Sequence, residues 1–108
     1  MQIQISVLDF NLNLVKSKQY LEALDRYKQY LSSNPDHLAL ILISLYKQLF
    51  KTPNNLNIRL IIIELYIRFS YFKDAVFELE EMIDINPKFS QAYYLISKLY
   101  KLNYKSEP

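Results

Sequence analysis

The sequence predicts an all-α fold of about six helices that stack as helical hairpins. Two segments, 18–35 and 72–87, share an aromatic residue, an alanine three positions later, an apolar stripe and a closing Asn-Pro. A recurring unit of this kind is typical of helical repeats, whose members bury their apolar faces against neighbours. The chain also contains no glycine, which favours helices joined by short turns.

Prolines divide the 108-residue chain into helical segments. Asn34-Pro35, Pro53 and Asn86-Pro87 are strong breaks, because the residue before a proline is disfavoured in the α region. Weaker breaks fall near residues 17 and 70. We therefore predict six helices, at 4–17, 19–33, 37–51, 56–70, 73–85 and 89–103.

The first predicted helix is apolar on two sides. Its apolar residues alternate as in a strand, but a lone strand would have no partner to pair with, so a helix is preferred. In a helix, Ile5 and Leu12 lie opposite the stripe of Ile3, Val7, Phe10 and Leu14. We therefore interpret Ile5 and Leu12 as candidate contacts with another copy or a partner.

The fourth and fifth predicted helices differ in their apolar pattern. The fourth is apolar on all sides, which is typical of a helix buried between others. The fifth has one stripe, formed by Ala75, Val76, Leu79, Met82 and Ile83. Asp74, Glu78 and Glu81 share another face and are expected to be solvated. Phe77 lies opposite the stripe, so we expect it to be exposed and to be a third candidate contact.

Residues 56–89 resemble the tetratricopeptide repeat, a 34-residue helix-turn-helix unit. Tyr66 stands late in its first helix, Phe72 and Ala75 open its second, and Leu79 and Pro87 follow at the family's positions. The resemblance implies a right-handed stack of antiparallel helix pairs, an α-solenoid. The expected domain is a single one over 1–108, with a regular repeat at 56–89, a following helix at 89–103 and a degenerate repeat at 4–55.

The repeat phase of the first half stays open. Pro53 lies 34 residues before Pro87, whereas Pro35 assigns the same role to the preceding helix. Either helices two to five form two repeats, with a leading helix one and a capping helix six, or two three-helix units join at Pro53.

In this family, partner peptides or helices lie in a concave groove lined by the first helices of successive repeats. The corresponding positions here are Leu60, Ile61, Glu64, Arg68, Gln91, Tyr94, Leu95 and Lys98. Family members that grip acidic chaperone tails use lysine and asparagine at positions held here by Leu8, Leu60 and Tyr94. A mainly apolar groove instead favours an amphipathic helix or an extended apolar segment as ligand.

Composition argues against several functions. A net charge of +2 with scattered Lys and Arg does not suggest a nucleic-acid binder. Without cysteine and with one histidine, we expect no metal site or cofactor. No nucleophile-base set or glycine-rich phosphate loop is visible, so we do not expect an enzyme. No apolar stretch could span a membrane and the N-terminus does not resemble a signal, so a cytoplasmic chain is expected.

The sequence therefore predicts a non-enzymatic interaction module or adaptor that binds a protein or peptide partner in an apolar concave groove, as a chaperone or assembly factor would. The alternative is a structural subunit of a homo-oligomer or larger complex. The two-sided first helix and the small number of repeats favour that alternative, because about three repeats are needed for independent stability.

Overall fold

The computed structural model describes residues 20–105, with side chains described from 21 to 101. This part of the chain contains five α-helices and a short 3₁₀ turn at Pro35–His37, and no strand. The helices are α1 (Tyr20–Ser33), α2 (Leu38–Lys51), α3 (Leu56–Arg68), α4 (Phe72–Ile85) and α5 (Ser90–Lys105). They correspond to the second to sixth predicted helices, so the all-α prediction is confirmed for these residues. The first predicted helix, 4–17, lies outside the described residues.

Three helices end two residues before a proline, and the residue that precedes the proline lies just outside the helix. Asn34, Thr52 and Asn86 have φ values of −137°, −134° and −141°. Each N–H still donates to the carbonyl oxygen four residues earlier, at 2.9 to 3.1 Å. The last helical turn therefore closes before the chain leaves the α region, as expected before proline.

The turn from α1 to α2 is held by an aromatic contact. The Tyr30 hydroxyl lies 2.7 Å from Nδ1 of His37 in a hydrogen bond, and the two rings stack with centroids 5.6 Å apart. His37 occupies the N-cap position of α2 without a side-chain cap. The 3₁₀ turn at Pro35–His37 thus leads directly into the helix.

The helix α3 begins at a side-chain cap and is buried on all sides. Oδ1 of Asn55 accepts a hydrogen bond from the N–H of Ile58 at 3.1 Å, which is the geometry of an N-cap. The buried residues point in every direction around the helix axis, as its apolar pattern predicts. They are Ile58, Leu60, Ile61, Ile62, Ile63 and Leu65.

The helix α3 ends in a Schellman motif built on a serine. Ser70 has φ 66°, in the left-handed region that favours glycine. The N–H of Ser70 donates to Ile67 O at 3.1 Å and the N–H of Tyr71 donates to Tyr66 O at 2.8 Å, which are the two hydrogen bonds of the motif. The Tyr66 and Tyr71 rings meet edge to face at 6.3 Å, so the accompanying side-chain contact is also present.

The chain forms two compact units, and the boundary lies inside α3, between Ile62 and Ile63. In the first unit, α1 buries Ala23, Leu24, Tyr27 and Leu31, and α2 buries Leu38, Ile41, Leu45 and Leu49. In the second unit, α4 buries Ala75, Leu79 and Met82, and α5 buries Ala92, Leu95 and Leu99.

The buried face of α4 is rotated from the predicted one. Glu78 is only 6% exposed, so the expectation that it is solvated with Asp74 and Glu81 is wrong. Val76 and Ile83, assigned to the predicted stripe, are half-buried. The helix α4 turns Glu78 toward the core and leaves the two β-branched residues at its edge.

None of the helices in the described part of the chain combines the length and apolarity that a membrane crossing requires.

Candidate protein-interaction site

An open groove of about 670 Å³ lies between α4 and α5, within the second unit. Its apolar residues come from both helices, and its acidic residues come from α4 alone. We call this surface the α4–α5 groove. Its lining consists of Phe77, Glu80, Glu81, Ile83 and Asp84 from α4 and of Tyr93 and Ile96 from α5.

Helical periodicity places these residues side by side. In α4, residues 77, 80, 81 and 84 follow the i, i+3, i+4, i+7 spacing of one helix face. Two hydrogen bonds to Asn86 close the short loop after α4. The N–H of Lys88 donates to the side-chain Oδ1 of Asn86 at 3.2 Å, and the N–H of Phe89 donates to the backbone carbonyl oxygen of Asn86 at 3.0 Å. A connection of this length makes α4 and α5 antiparallel neighbours, so their outer faces form one surface.

Large apolar side chains of the groove are open to solvent. Phe77 is 59% exposed and Tyr93 is 48% exposed, while Ile83 and Ile96 are half-buried beside them. An adjoining recess shares Phe77 and Glu80 with the groove and adds Phe72, Val76 and Tyr100. The exposed rings of Phe77 and Tyr93 thus line one groove together with carboxylates of α4, and its apolar lining continues into this recess.

Negative charge lines one wall of the α4–α5 groove. Glu80, Glu81 and Asp84 are exposed, and none of them forms an ion pair with another described residue. Of the described side chains that line this groove, none is cationic; Lys73 lines only the adjoining recess. A surface of this kind favours partners that carry positive charge beside apolar side chains.

The described residues contain no group of three or more His, Asp or Glu side chains that could hold a metal ion. The groove combines exposed aromatic rings with peripheral carboxylates. Such a surface can bury an apolar segment and orient it by charge.

The structure places the predicted groove residues in three different environments. Leu60, Ile61 and Leu95 are buried, so their assignment to an open groove is wrong: their side chains belong to the core. Glu64 is half-buried, and the remaining residues are exposed. These exposed residues are Arg68, Gln91, Tyr94 and Lys98.

The α4–α5 groove lies on the other flank of α5 from the predicted surface. Tyr94 is 66% exposed but does not line the groove, whereas the adjacent Tyr93 does. Consecutive helical residues point about 100° apart, which separates the two tyrosines. Of the candidate contacts, Phe77 lines the groove, and Ile5 and Leu12 lie outside the described residues.

Sequence reasoning did not identify Tyr93, Ile96 or Ile83 as site residues. A signal was present, because Tyr93, Ile96 and Tyr100 repeat at i, i+3 and i+7 next to the buried stripe of α5. The apolar stripe of α5 is wider than the face that the helix buries, so the margin of the stripe stays exposed. That margin forms one wall of the groove.

Comparisons with protein-family models, with curated proteins and with solved structures gave no match to this chain. We therefore interpret the α4–α5 groove from its own residues.

Proposed function

We propose that this chain is a non-enzymatic protein-interaction module that docks an apolar segment of a partner protein in the α4–α5 groove. The observation that carries the proposal is the exposure of two aromatic side chains, Phe77 and Tyr93, in one groove. Contiguous exposed apolar patches are typical of interaction sites, and aromatic residues contribute most of the binding energy at such sites.

The shape of the groove favours a helical or extended segment as ligand. It follows two antiparallel helices of 14 and 16 residues, and a third helix packs readily along such a pair. The right-handed, tetratricopeptide-like stack is part of this proposal: in that arrangement a further helix would cover this face. An adaptor, chaperone or assembly factor would offer the same face to a partner.

Affinity capture with the tagged full chain tests the proposal. The variants Phe77→Ala and Tyr93→Ala remove rings from the groove, and Tyr94→Ala removes a ring of equal chemistry beside it. We expect the two groove variants to lower the captured amount of each specific protein at least about tenfold, as loss of a central aromatic contact does. Tyr94→Ala is expected to leave capture unchanged.

Circular dichroism first establishes that each variant keeps the helical content and thermal transition of the parent. If folded Phe77→Ala and Tyr93→Ala variants capture the same proteins in the same amounts as the parent, the groove is not the docking site. If only Tyr94→Ala loses them, the surface with Gln91 and Lys98 is the site instead.

A further inference from the structure

We propose that the α4–α5 groove is occupied by α2 of a second copy of this chain. The inference rests on the docking function proposed for the groove and adds the identity of the partner. It follows from an exposed face of α2 that is apolar and basic, and from the acidic residues of the groove, which complement that face in charge.

The helix α2 has two apolar faces, and only one of them is buried. The buried face carries four large apolar residues, and the opposite face carries Leu40, Ile43 and Phe50, which are 44%, 55% and 88% exposed. At 100° per residue these three side chains lie within one narrow sector of the helix. A phenylalanine that is almost fully open to water, in line with two aliphatic residues, is the pattern of a helix that docks through this face.

Lysines complete the exposed face of α2. Lys47 and Lys51 are exposed and point into the same sector as Leu40 and Ile43. The 14 residues of α2 contain no Asp or Glu. We call the surface formed by Leu40, Ile43, Lys47, Phe50 and Lys51 the α2 face.

The charges of the α2 face and of the groove are complementary. The face presents two ammonium groups, and the groove presents the carboxylates of Glu80, Glu81 and Asp84 along one wall. Complementary charges around an apolar contact steer association and select its register. A like-charged helix on the same groove would be repelled.

The α2 face is longer than the groove, which spans about two helical turns. From Leu40 to Phe50 the α2 face extends about 15 Å, at 1.5 Å per residue. On the groove side, Phe77 to Asp84 and Tyr93 to Tyr100 each extend about 10 Å. Lys47 and Lys51 stand four residues apart, and Glu80 and Asp84 have the same spacing, so one turn of basic residues can face one turn of acidic residues.

The α2 face and the groove are different surfaces of one chain, so each copy offers both halves of the contact. Association is therefore expected to increase the mass with concentration. Higher salt is expected to weaken it, because charge pairs at the margin of the contact are screened.

Static light scattering of the purified full chain, with charge-reversal variants, tests this inference. We expect the parent to exceed the mass of one chain at micromolar to millimolar concentration. Lys47→Glu with Lys51→Glu, and separately Glu80→Lys with Asp84→Lys, are each expected to weaken association at least about tenfold. The variant that carries all four reversals restores complementarity and is expected to associate within about threefold of the parent. Lys88→Glu with Lys98→Glu, which makes the same change in net charge elsewhere, is expected to behave as the parent does.

Two results overturn the inference: a parent that keeps the mass of one chain at every concentration, or a fourfold variant that stays dissociated when both double variants do. Neither result affects the capture experiment with Phe77→Ala and Tyr93→Ala, so a groove that serves a different protein is distinguished from a groove that serves none.

Discussion

Replacing Tyr27 by phenylalanine is expected to stabilise the chain. The side chain of Tyr27 is fully buried, and its hydroxyl has no hydrogen-bond partner among the described residues. A buried hydroxyl without a partner loses its hydrogen bonds to water on folding and gains none in return. Removing the oxygen atom removes that cost and keeps the apolar ring in place.

The size of the effect follows from two opposing terms. An unsatisfied buried hydroxyl costs about 1–3 kcal/mol. The void left by one oxygen atom, on the order of 12 Å³, costs about 0.3 kcal/mol at about 24 cal/mol per Å³. Tyr27→Phe is therefore expected to raise the free energy of unfolding by about 0.7–2.7 kcal/mol. Since 1 kcal/mol corresponds to about 4 °C in a chain of this size, the melting temperature would rise by about 3–11 °C.

The same burial makes the stability depend on alkaline pH. Burial raises the pKa of the Tyr27 phenol above its ordinary value, because the low-polarity surroundings penalise the phenolate. Above about pH 10 the unfolded chain releases this proton while the folded chain keeps it, so stability falls as pH rises, by up to about 1.4 kcal/mol per pH unit. The Tyr27→Phe variant is expected to lack this component.

Tyr30 provides a matched control. Its hydroxyl is hydrogen-bonded to His37 at 2.7 Å, so Tyr30→Phe is expected to lower the free energy of unfolding by about 1 kcal/mol. Urea unfolding followed by circular dichroism, at pH 7 and pH 10.5, measures both variants. A Tyr27→Phe variant that is less stable than the parent at pH 7 would refute the reasoning, because it would show that the hydroxyl is satisfied in solution.

Three further changes test the turns and the core. Ser70→Gly is expected to raise the free energy of unfolding by about 1 kcal/mol, because glycine takes the left-handed conformation without a Cβ clash; Ser70→Ala, which keeps the clash, should gain nothing. Asn55→Ala removes the cap of α3 and is expected to cost about 1 kcal/mol, whereas Asn55→Asp keeps an acceptor and most of the stability. Leu79→Ala in the core is expected to cost about 2–5 kcal/mol, and the exposed Leu40→Ala less than about 1 kcal/mol. Urea unfolding at neutral pH reports each value, and an unchanged midpoint for Leu79→Ala would contradict its assignment to the core.

Local sequence signals predict the helices well. Prolines end three helices because their effect on the preceding residue does not depend on the rest of the fold. The break near residue 70 carries no proline, yet the change of apolar phase there coincides with the Schellman motif at Ser70. The apolar residues around all sides of α3 likewise predict its burial, because a helix without a polar face is stable only when other helices cover it.

The candidate site is harder to predict, since it depends on how far each helix rotates. Glu78 is buried and Val76 is half-buried. Packing against neighbouring helices determines which of the two side chains faces the core, and sequence periodicity does not encode that packing. Leu60 and Leu95 are apolar in either environment, so their residue type does not tell a core position from a groove position. Tyr93 and Tyr94 are adjacent residues of the same type, so only the orientation of the helix determines which of them lines the groove.

The central claim, that the α4–α5 groove is a docking surface, is tested most directly by site-specific photo-crosslinking in the native cell. A benzophenone amino acid is placed at position 93 in one full-length variant and at position 94 in another. We expect a discrete cross-linked partner at position 93, from this chain or another protein, and little at position 94, whose side chain lies outside the groove. Cross-linking confined to position 94, or absent from position 93 in a correctly folded variant, would contradict the claim.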